Sequence, residues 1–231
     1  MSRSGEGTNG VSTGTDQRPS GPTFFLSYAR TPKSEVAAAE ADSGRHYSIM
    51  FFRDLCAHLR ELLGCQAGEE PGFMDEAMEG GEPWNDELRT MVGACQVFVP
   101  LLSPRYGRSR WCELEWRAFA RRTVQPLRPM LGGPCSAIVP VLWLPERLEN
   151  LPEWAQRVQV FTPNQPHEQD VATHYWRDGI YGLRVTNREA YEVITWRVAL
   201  RIREVCRSYH VEQRTPDPAW DDIQCAQGGE A

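Results

Sequence analysis

One carboxylate, Glu115, stands where a helix is expected to begin beside a cleft. Residues 101–106 read L-L-S-P-R-Y, an apolar run that leaves the core through a proline turn, and residues 109–116 read S-R-W-C-E-L-E-W. The second stretch predicts a helix whose first turns carry two tryptophans and two glutamates. Helices that follow parallel strands begin at the carboxyl edge of the sheet, where open α/β folds bind their ligands. Glu115 is therefore the first candidate for a functional residue.

A second interpretation of Glu115 is open at this point. A glutamate on a solvated helix face would pair with an arginine, such as Arg110 or Arg117. Glu113 is two residues from Glu115, so it falls on a different helix face and is expected at the surface. Cys112 stands near a helix start, where the pKa of a thiol falls, but it has no histidine near it in sequence and is not expected to be a nucleophile.

The second group of candidates ends the first predicted strand, residues 23–28, which read T-F-F-L-S-Y. Ser27, Tyr28 and Arg30 fall at the same carboxyl edge, where they are candidates for the floor of a nucleotide site. Arg30 would contact a phosphate, which a guanidinium binds well. The alternative is that Ser27 caps the following loop and Tyr28 fills the core. Trp111 is expected to pack its helix onto the sheet and is a candidate for the pocket wall.

The elements that must position these residues alternate between strand and helix. Apolar runs predict strands at 23–28, 72–75, 95–102 and 137–144, with a fifth at 158–161. Helical spacing predicts helices at 46–63, from Pro83 to about 94, at 110–122, and a final one through residues 191–205. Residues 29–45 are expected to form a long excursion, and 163–183 a polar, turn-rich stretch. This alternation with short links is typical of a doubly wound parallel sheet.

Length and composition are those of one globular domain with polar ends. The chain has 231 residues, 41% of them hydrophobic and 24% charged. Residues 1–22 are mainly Gly, Ser and Thr and predict a disordered leader, residues 23–208 the folded domain, and residues 209–231 a flexible polar tail. An apolar run long enough for a membrane span or a signal peptide is lacking, so we expect a cytoplasmic protein without a membrane partner.

Charge and cysteine usage narrow the possible ligands. The net charge of −6 disfavours nucleic acid as a partner, although a cluster of arginines between 105 and 128 would tolerate a nucleotide. Seven cysteines without a C-x-x-C pair predict neither a disulfide framework nor a zinc site. The histidines show no metal-ligand spacing, so no metal is expected.

Three motifs in order resemble the TIR (Toll/interleukin-1 receptor) family over about residues 23–207. They are F-F-L-S-Y-A-R at 24–30, F-M-D at 73–75 followed by G-E-P-W-N-D-E-L at 81–88, and L-S-P-R-Y followed by S-R-W-C-E-L-E at 102–115. The last is similar to the W-C-x-x-E-W variant of bacterial TIR-like proteins, some of which accompany peptide-maturation systems. The resemblance implies a flavodoxin-like fold with five parallel strands.

The resemblance also implies two functions that can coexist. Many bacterial and plant members cleave NAD between nicotinamide and ribose with the glutamate of this motif, which is Glu115 here; NAD would be a substrate, as hydrolase or cyclase, and no cofactor is needed. Trp84, in the loop before a helix, would then stack on the ligand, although a tryptophan there is more often core. The alternative is a non-catalytic module making TIR-TIR or peptide contacts through residues 75–94, and self-association is expected in either case.

Overall fold

The computed structural model describes residues 21–30, 38–75, 86–128, 135–163 and 169–216; the leader and Trp84 lie outside these ranges. The strands are Phe24–Tyr28 (β1), Gly72–Met74 (β2), Val97–Leu102 (β3), Val124–Pro126 (β4), Val141–Leu142 (β5) and Tyr209–Val211 (β6). The α-helices are Ala38–Leu63 (α1), Asp86–Ala94 (α2), Arg110–Ala120 (α3), Glu153–Gln156 (α4), Gln169–Thr186 (α5) and Arg188–Ser208 (α6). Within these ranges, every helix is too short or too polar to cross a bilayer.

A parallel sheet in the order β2-β1-β3-β5 forms the centre of the domain. All six residues of β3 are buried, as expected of a strand covered on both faces. The register sets Phe25 opposite Phe98 and Ser27 opposite Pro100, so β1 and β3 end side by side. The predicted α/β class with a parallel, flavodoxin-like sheet is confirmed.

The strand order places a switch point between β1 and β3. The chain moves from β1 to β2 in one direction and then crosses back over β1 to reach β3. Because such crossovers are right-handed, α1 and α2 must lie on opposite faces of the sheet. In agreement, α1 packs against α6 and contacts α5 through the Arg184–Asp54 ion pair, whereas α2 packs against α3. Ligands of open α/β sheets bind where this reversal occurs, outside the carboxyl ends of the strands.

The expected fifth strand at 158–161 is wrong, and the sheet has four strands in the part of the chain that the structure describes. The segment does run beside the sheet, since Phe161 donates its N–H to the carbonyl oxygen of Pro140 at 2.8 Å. No ladder forms, because Pro140 has no N–H and the N–H of Leu142, the next donor on this edge, is donated to the hydroxyl of Tyr175 at 2.7 Å.

Two stretches that were predicted to be irregular contain helical residues. Helix α1 begins at Ala38, eight residues before the predicted start, so the excursion after β1 is shorter than expected. The turn-rich stretch contains α5, whose Tyr175, Ile180 and Leu183 are buried. Its periodicity is broken at Gly179, where φ is 64° and ψ is 176°, and this break hides the helix in the sequence.

The predicted flexible tail is also wrong for residues 209–216, which belong to the folded domain. Strand β6 pairs antiparallel with β4, and Val211 is buried. The guanidinium of Arg122 joins this segment to the end of α2. It donates from Nε to the carbonyl of Glu212 at 2.9 Å, and from Nη1 to the carbonyls of Val92 and Cys95 at 2.9 and 2.6 Å.

The break in α5 should make Gly179 intolerant of a side chain. An added Cβ would lie 2.6 Å from the carbonyl oxygen of Trp143, in a backbone conformation that only glycine adopts readily. We expect Gly179→Ala to lower the free energy of unfolding by about 3 kcal/mol in urea titrations. Gly64 has a similar φ of 62° but open space around it, so Gly64→Ala should cost about 1 kcal/mol. Equal losses in the two variants would contradict this assignment.

Candidate active site at the carboxyl edge of the sheet

Helix α3 is held so that one of its carboxylates turns toward β1. The hydroxyl oxygen of Ser109 caps the helix by accepting from the Cys112 N–H at 3.4 Å. Trp116, one residue past Glu115, packs edge-on against Phe98 of β3 with ring centroids 6.0 Å apart. Glu115 is therefore directed into the sheet edge and not into solvent, with 8% of its surface exposed.

Three side chains from three elements form a hydrogen-bonded chain that ends on Glu115. Ser27 at the end of β1 donates its hydroxyl to Glu115 Oε2 at 2.5 Å. The same Ser27 oxygen lies 2.9 Å from the hydroxyl of Tyr106, in the short 3₁₀ helix after β3. Ser27 and Tyr106 are 1% and 0% exposed, so this chain is shielded from water. We call these three residues the relay.

The structure excludes the surface interpretation of Glu115. Arg117 pairs with Glu113 at 2.6 Å across one helical turn, which leaves Glu113 on the outer face as predicted. In the described part of the chain, no salt bridge reaches Glu115. Among the described residues, the side chain of Glu115 forms a hydrogen bond with Ser27. Ser27 belongs to a different element and is 88 residues away in sequence.

A second group of side chains ties the ends of β1 and β2 together beside the relay. Arg30 Nη2 contacts Asp75 twice, at 2.5 Å to the carbonyl oxygen and 2.7 Å to carboxylate Oδ2. The hydroxyl of Tyr28 donates to the same carbonyl at 3.2 Å. The guanidinium lies 5.7 Å from the centre of the Tyr28 ring. Tyr28 is partly buried and packs against the core.

Burial makes Glu115 a weak acid. Loss of water raises its pKa from 4.5 to about 8, and the nearby Asp75 carboxylate acts in the same direction. The hydrogen bond from Ser27 opposes this rise, and Arg30 opposes it more weakly. The carboxyl group therefore titrates near neutral pH, in the range where a group that changes charge during a reaction is useful.

Three further sequence candidates have different outcomes. Trp111 is partly buried and packs against the core, which agrees with the expectation that it holds the helix to the sheet. Cys112 is buried, and burial together with Glu115 raises the pKa of its thiol, so the thiol is not activated. Trp84 lies outside the described residues.

Sequence reasoning missed two members of this site, Tyr106 and Asp75. Tyr106 stands inside a quoted motif, but its role depends on a contact with Ser27, 79 residues earlier. Asp75 directly follows β2, one of the three strands whose carboxyl ends meet here. The available signal was topological, because any polar residue that ends β1, β2 or β3 falls at this edge.

A buried, titratable carboxylate thus lies at the switch point of a doubly wound α/β sheet, the place where folds of this class bind their ligands. Residues 47–172, just over half of the chain, match the family model of the TIR domain. The chain therefore belongs to the TIR-domain family. The matched region includes Glu115 and Asp75 and begins after β1, so the placement of Ser27 and Arg30 rests on the structure itself. No curated protein matches the chain.

The raised pKa of Glu115 predicts a pH-dependent stability. The folded state holds a proton between pH 4.5 and about 8 that the unfolded state releases, so the free energy of unfolding falls as pH rises through this window. Glu115→Gln has no such proton. We expect it to unfold like the wild type at pH 4.5 and to be about 2–4 kcal/mol more stable at pH 9 in urea titrations.

Glu113→Gln is the matched control, because it changes an exposed carboxylate on the same helix. Its surface ion pair contributes little, so the control should stay within about 1 kcal/mol of the wild type at both pH values. A Glu115→Gln stability difference that is equal at the two pH values would contradict a buried, protonated Glu115.

Proposed function

We propose that this TIR domain cleaves NAD between nicotinamide and ribose, in signalling or defence, with Glu115 as the carboxylate at the reacting sugar. The single observation that carries the proposal is the environment of Glu115. A buried carboxylate without a salt bridge among the described residues lowers stability at neutral pH, and such groups are concentrated at functional sites.

The chemistry needs one well-placed anion. Breaking the N-glycosidic bond develops positive charge on the ribose, which a carboxylate in a water-poor site stabilises. The nicotinamide ring of NAD is already cationic and leaves as a neutral molecule, so no general acid is required. Ser27 engages Oε2 of Glu115, and no described residue bonds to Oε1, which suits that oxygen to a ribose hydroxyl or to the developing cation.

The surrounding side chains support binding of the rest of the substrate. The guanidinium of Arg30 has five N–H donors, and its contacts with Asp75 use Nη2 alone, which leaves donors for a phosphate. Ser27 and Tyr28 form the floor with Arg30, and Trp111 forms part of the wall. Trp84 remains the candidate for stacking on a ring of the substrate.

Nicotinamide release tests the proposal directly. We expect concentrated wild-type protein to release nicotinamide from NAD, and Glu115→Gln to reduce the rate by about 100-fold or more, because it removes the negative charge and keeps the shape. Glu113→Gln is the control and should retain the wild-type rate. Chromatography of the second product distinguishes ADP-ribose, from a hydrolase, from a cyclic product.

Many TIR enzymes act only when assembled, so the assay includes a crowding agent and protein clustered on beads through an affinity tag. If the wild type releases no nicotinamide in any of these conditions, the proposed reaction is wrong. The alternative of an interaction module acting through TIR-TIR or peptide contacts would then be favoured.

The titration of Glu115 also predicts the pH dependence of turnover. The reaction needs the ionised carboxylate, so kcat/KM should rise with pH and level off above about pH 8. Bound NAD brings a cationic ring to the site and favours the ionised form, so kcat should level off at a lower pH than kcat/KM. Rates are measured between pH 5.5 and 9, after subtraction of uncatalysed NAD decay. A kcat/KM independent of pH would contradict this role of Glu115.

A further inference from the structure

We propose that Tyr106 is a positioning residue, whose hydroxyl orients the Ser27 hydroxyl so that Ser27 donates to Glu115. The effect on turnover rests on the proposed function, whereas the effect on Glu115 itself does not. Tyr106 is fully buried, so it acts through Ser27 and not by touching a substrate.

The ring of Tyr106 is fixed by the structure around it. Tyr106 is the first residue of the 3₁₀ helix Tyr106–Arg108, and its backbone N–H donates to the carbonyl of Ser103 at 3.0 Å. Its ring lies 6.2 Å from that of Trp154, which in turn packs 5.3 Å from Trp116 of α3. The phenol oxygen is therefore held at a constant place relative to α3 and β1.

The proton count of the relay explains why a fixed phenol matters. The Ser27 hydroxyl has one proton and can donate only one hydrogen bond at a time. An ionised Glu115 can only accept, so the bond from Ser27 to Oε2 uses that proton. The contact between Ser27 and Tyr106 at 2.9 Å must then have Tyr106 as donor. Such chained bonds strengthen one another, so the phenol makes Ser27 a better donor.

Charged and titratable groups reach Glu115 from every element around it. Asp75 after β2 disfavours the ionised carboxylate and Arg30 after β1 favours it, while Tyr28 of β1 and Cys112 of α3 lie close enough to be influenced by Glu115. Ser27 is the strongest of the described influences that favour ionisation. A residue that controls the direction of the Ser27 hydroxyl therefore controls how readily Glu115 ionises.

Tyr106→Phe is the direct test, because it removes one oxygen atom and keeps the ring. We expect the pKa of Glu115 to rise by about 0.5–1 unit, measured by ¹³C NMR of the glutamate carboxyl groups in the full chain without NAD. Glu115→Gln identifies the resonance. The plateau of kcat/KM should move to higher pH by the same amount, with the KM for NAD unchanged within about threefold.

Tyr175→Phe is the matched control. Tyr175 is also fully buried, and its hydroxyl accepts from the backbone N–H of Leu142 at 2.7 Å, outside the relay. It should lower stability without moving the pKa of Glu115. An equal shift in Tyr106→Phe and Tyr175→Phe, or no shift in Tyr106→Phe, would overturn the proposal.

A double-mutant cycle tests the route through Ser27. Ser27→Ala should itself raise the pKa of Glu115, and it does so without altering the Tyr106 ring. In the Ser27→Ala background, Tyr106→Phe should cause no further shift. A shift that persists there means that Tyr106 acts independently of Ser27, which overturns the relay.

The two proposals fail separately. If no variant turns over NAD but the NMR titration shows the expected shifts, the cleavage reaction is wrong and the positioning by Tyr106 stands. If turnover depends on Glu115 but the pKa of Glu115 ignores Tyr106, the reaction stands and the positioning role is overturned.

Discussion

The hydrogen bond between Ser27 and Glu115 is the constraint that the rest of the site depends on. It joins the carboxyl end of β1 to helix α3, 88 residues further along the chain, and both side chains are buried. A carboxyl group is expensive to bury, and this bond is the main described contact that offsets the loss of hydration. The packing of Trp116 on Phe98 keeps α3 close enough for the bond to form. The position of Glu115 therefore depends on both the packing of α3 on the sheet and the hydrogen bond to β1.

Two groups of side chains hold the strands and helix α3 together at the site, and they differ in charge. The relay is neutral apart from Glu115 and is buried, whereas the group formed by Arg30, Asp75 and Tyr28 is charged and partly open to solvent. Asp75 disfavours ionisation of Glu115, whereas Ser27 in the relay and Arg30 in the charged group both favour it. The acid is therefore balanced between its two protonation states, and a charged ligand would shift that balance.

The sequence predicted the parts of this molecule that follow from local pattern. Apolar runs and helical spacing located β1, β3, α3 and α6, and their alternation indicated a doubly wound parallel sheet, but not the order of its strands. The position of Glu115 was predictable because strand and helix ends converge at one edge. The long-range contacts were not predictable. No pattern near Tyr106 in the sequence indicates a contact with Ser27, and none near Arg122 indicates a contact with Glu212.

The errors also have physical reasons. Gly179 breaks the periodicity of α5, so a helix looked like a loop. At the sheet edge Pro140 has no N–H and the N–H of Leu142 bonds to Tyr175, so the apolar segment beside them forms one bond and no ladder. The polar composition after residue 208 resembled a tail, although its order comes from backbone bonds to β4, Gly93 and Arg122, which composition does not report.

The hydrogen bonds that the Arg122 guanidinium donates have a consequence for the order of folding. Its acceptors Val92 and Cys95 precede it by 30 and 27 residues, whereas Glu212 follows 90 residues later. Among the described residues Nη2 of this buried guanidinium already has no acceptor, so losing the Glu212 carbonyl as well would leave Nε unpaired and disfavour closure of this corner. During synthesis on a ribosome, the Arg122 side chain would therefore complete its hydrogen bonds only after residue 212 had emerged.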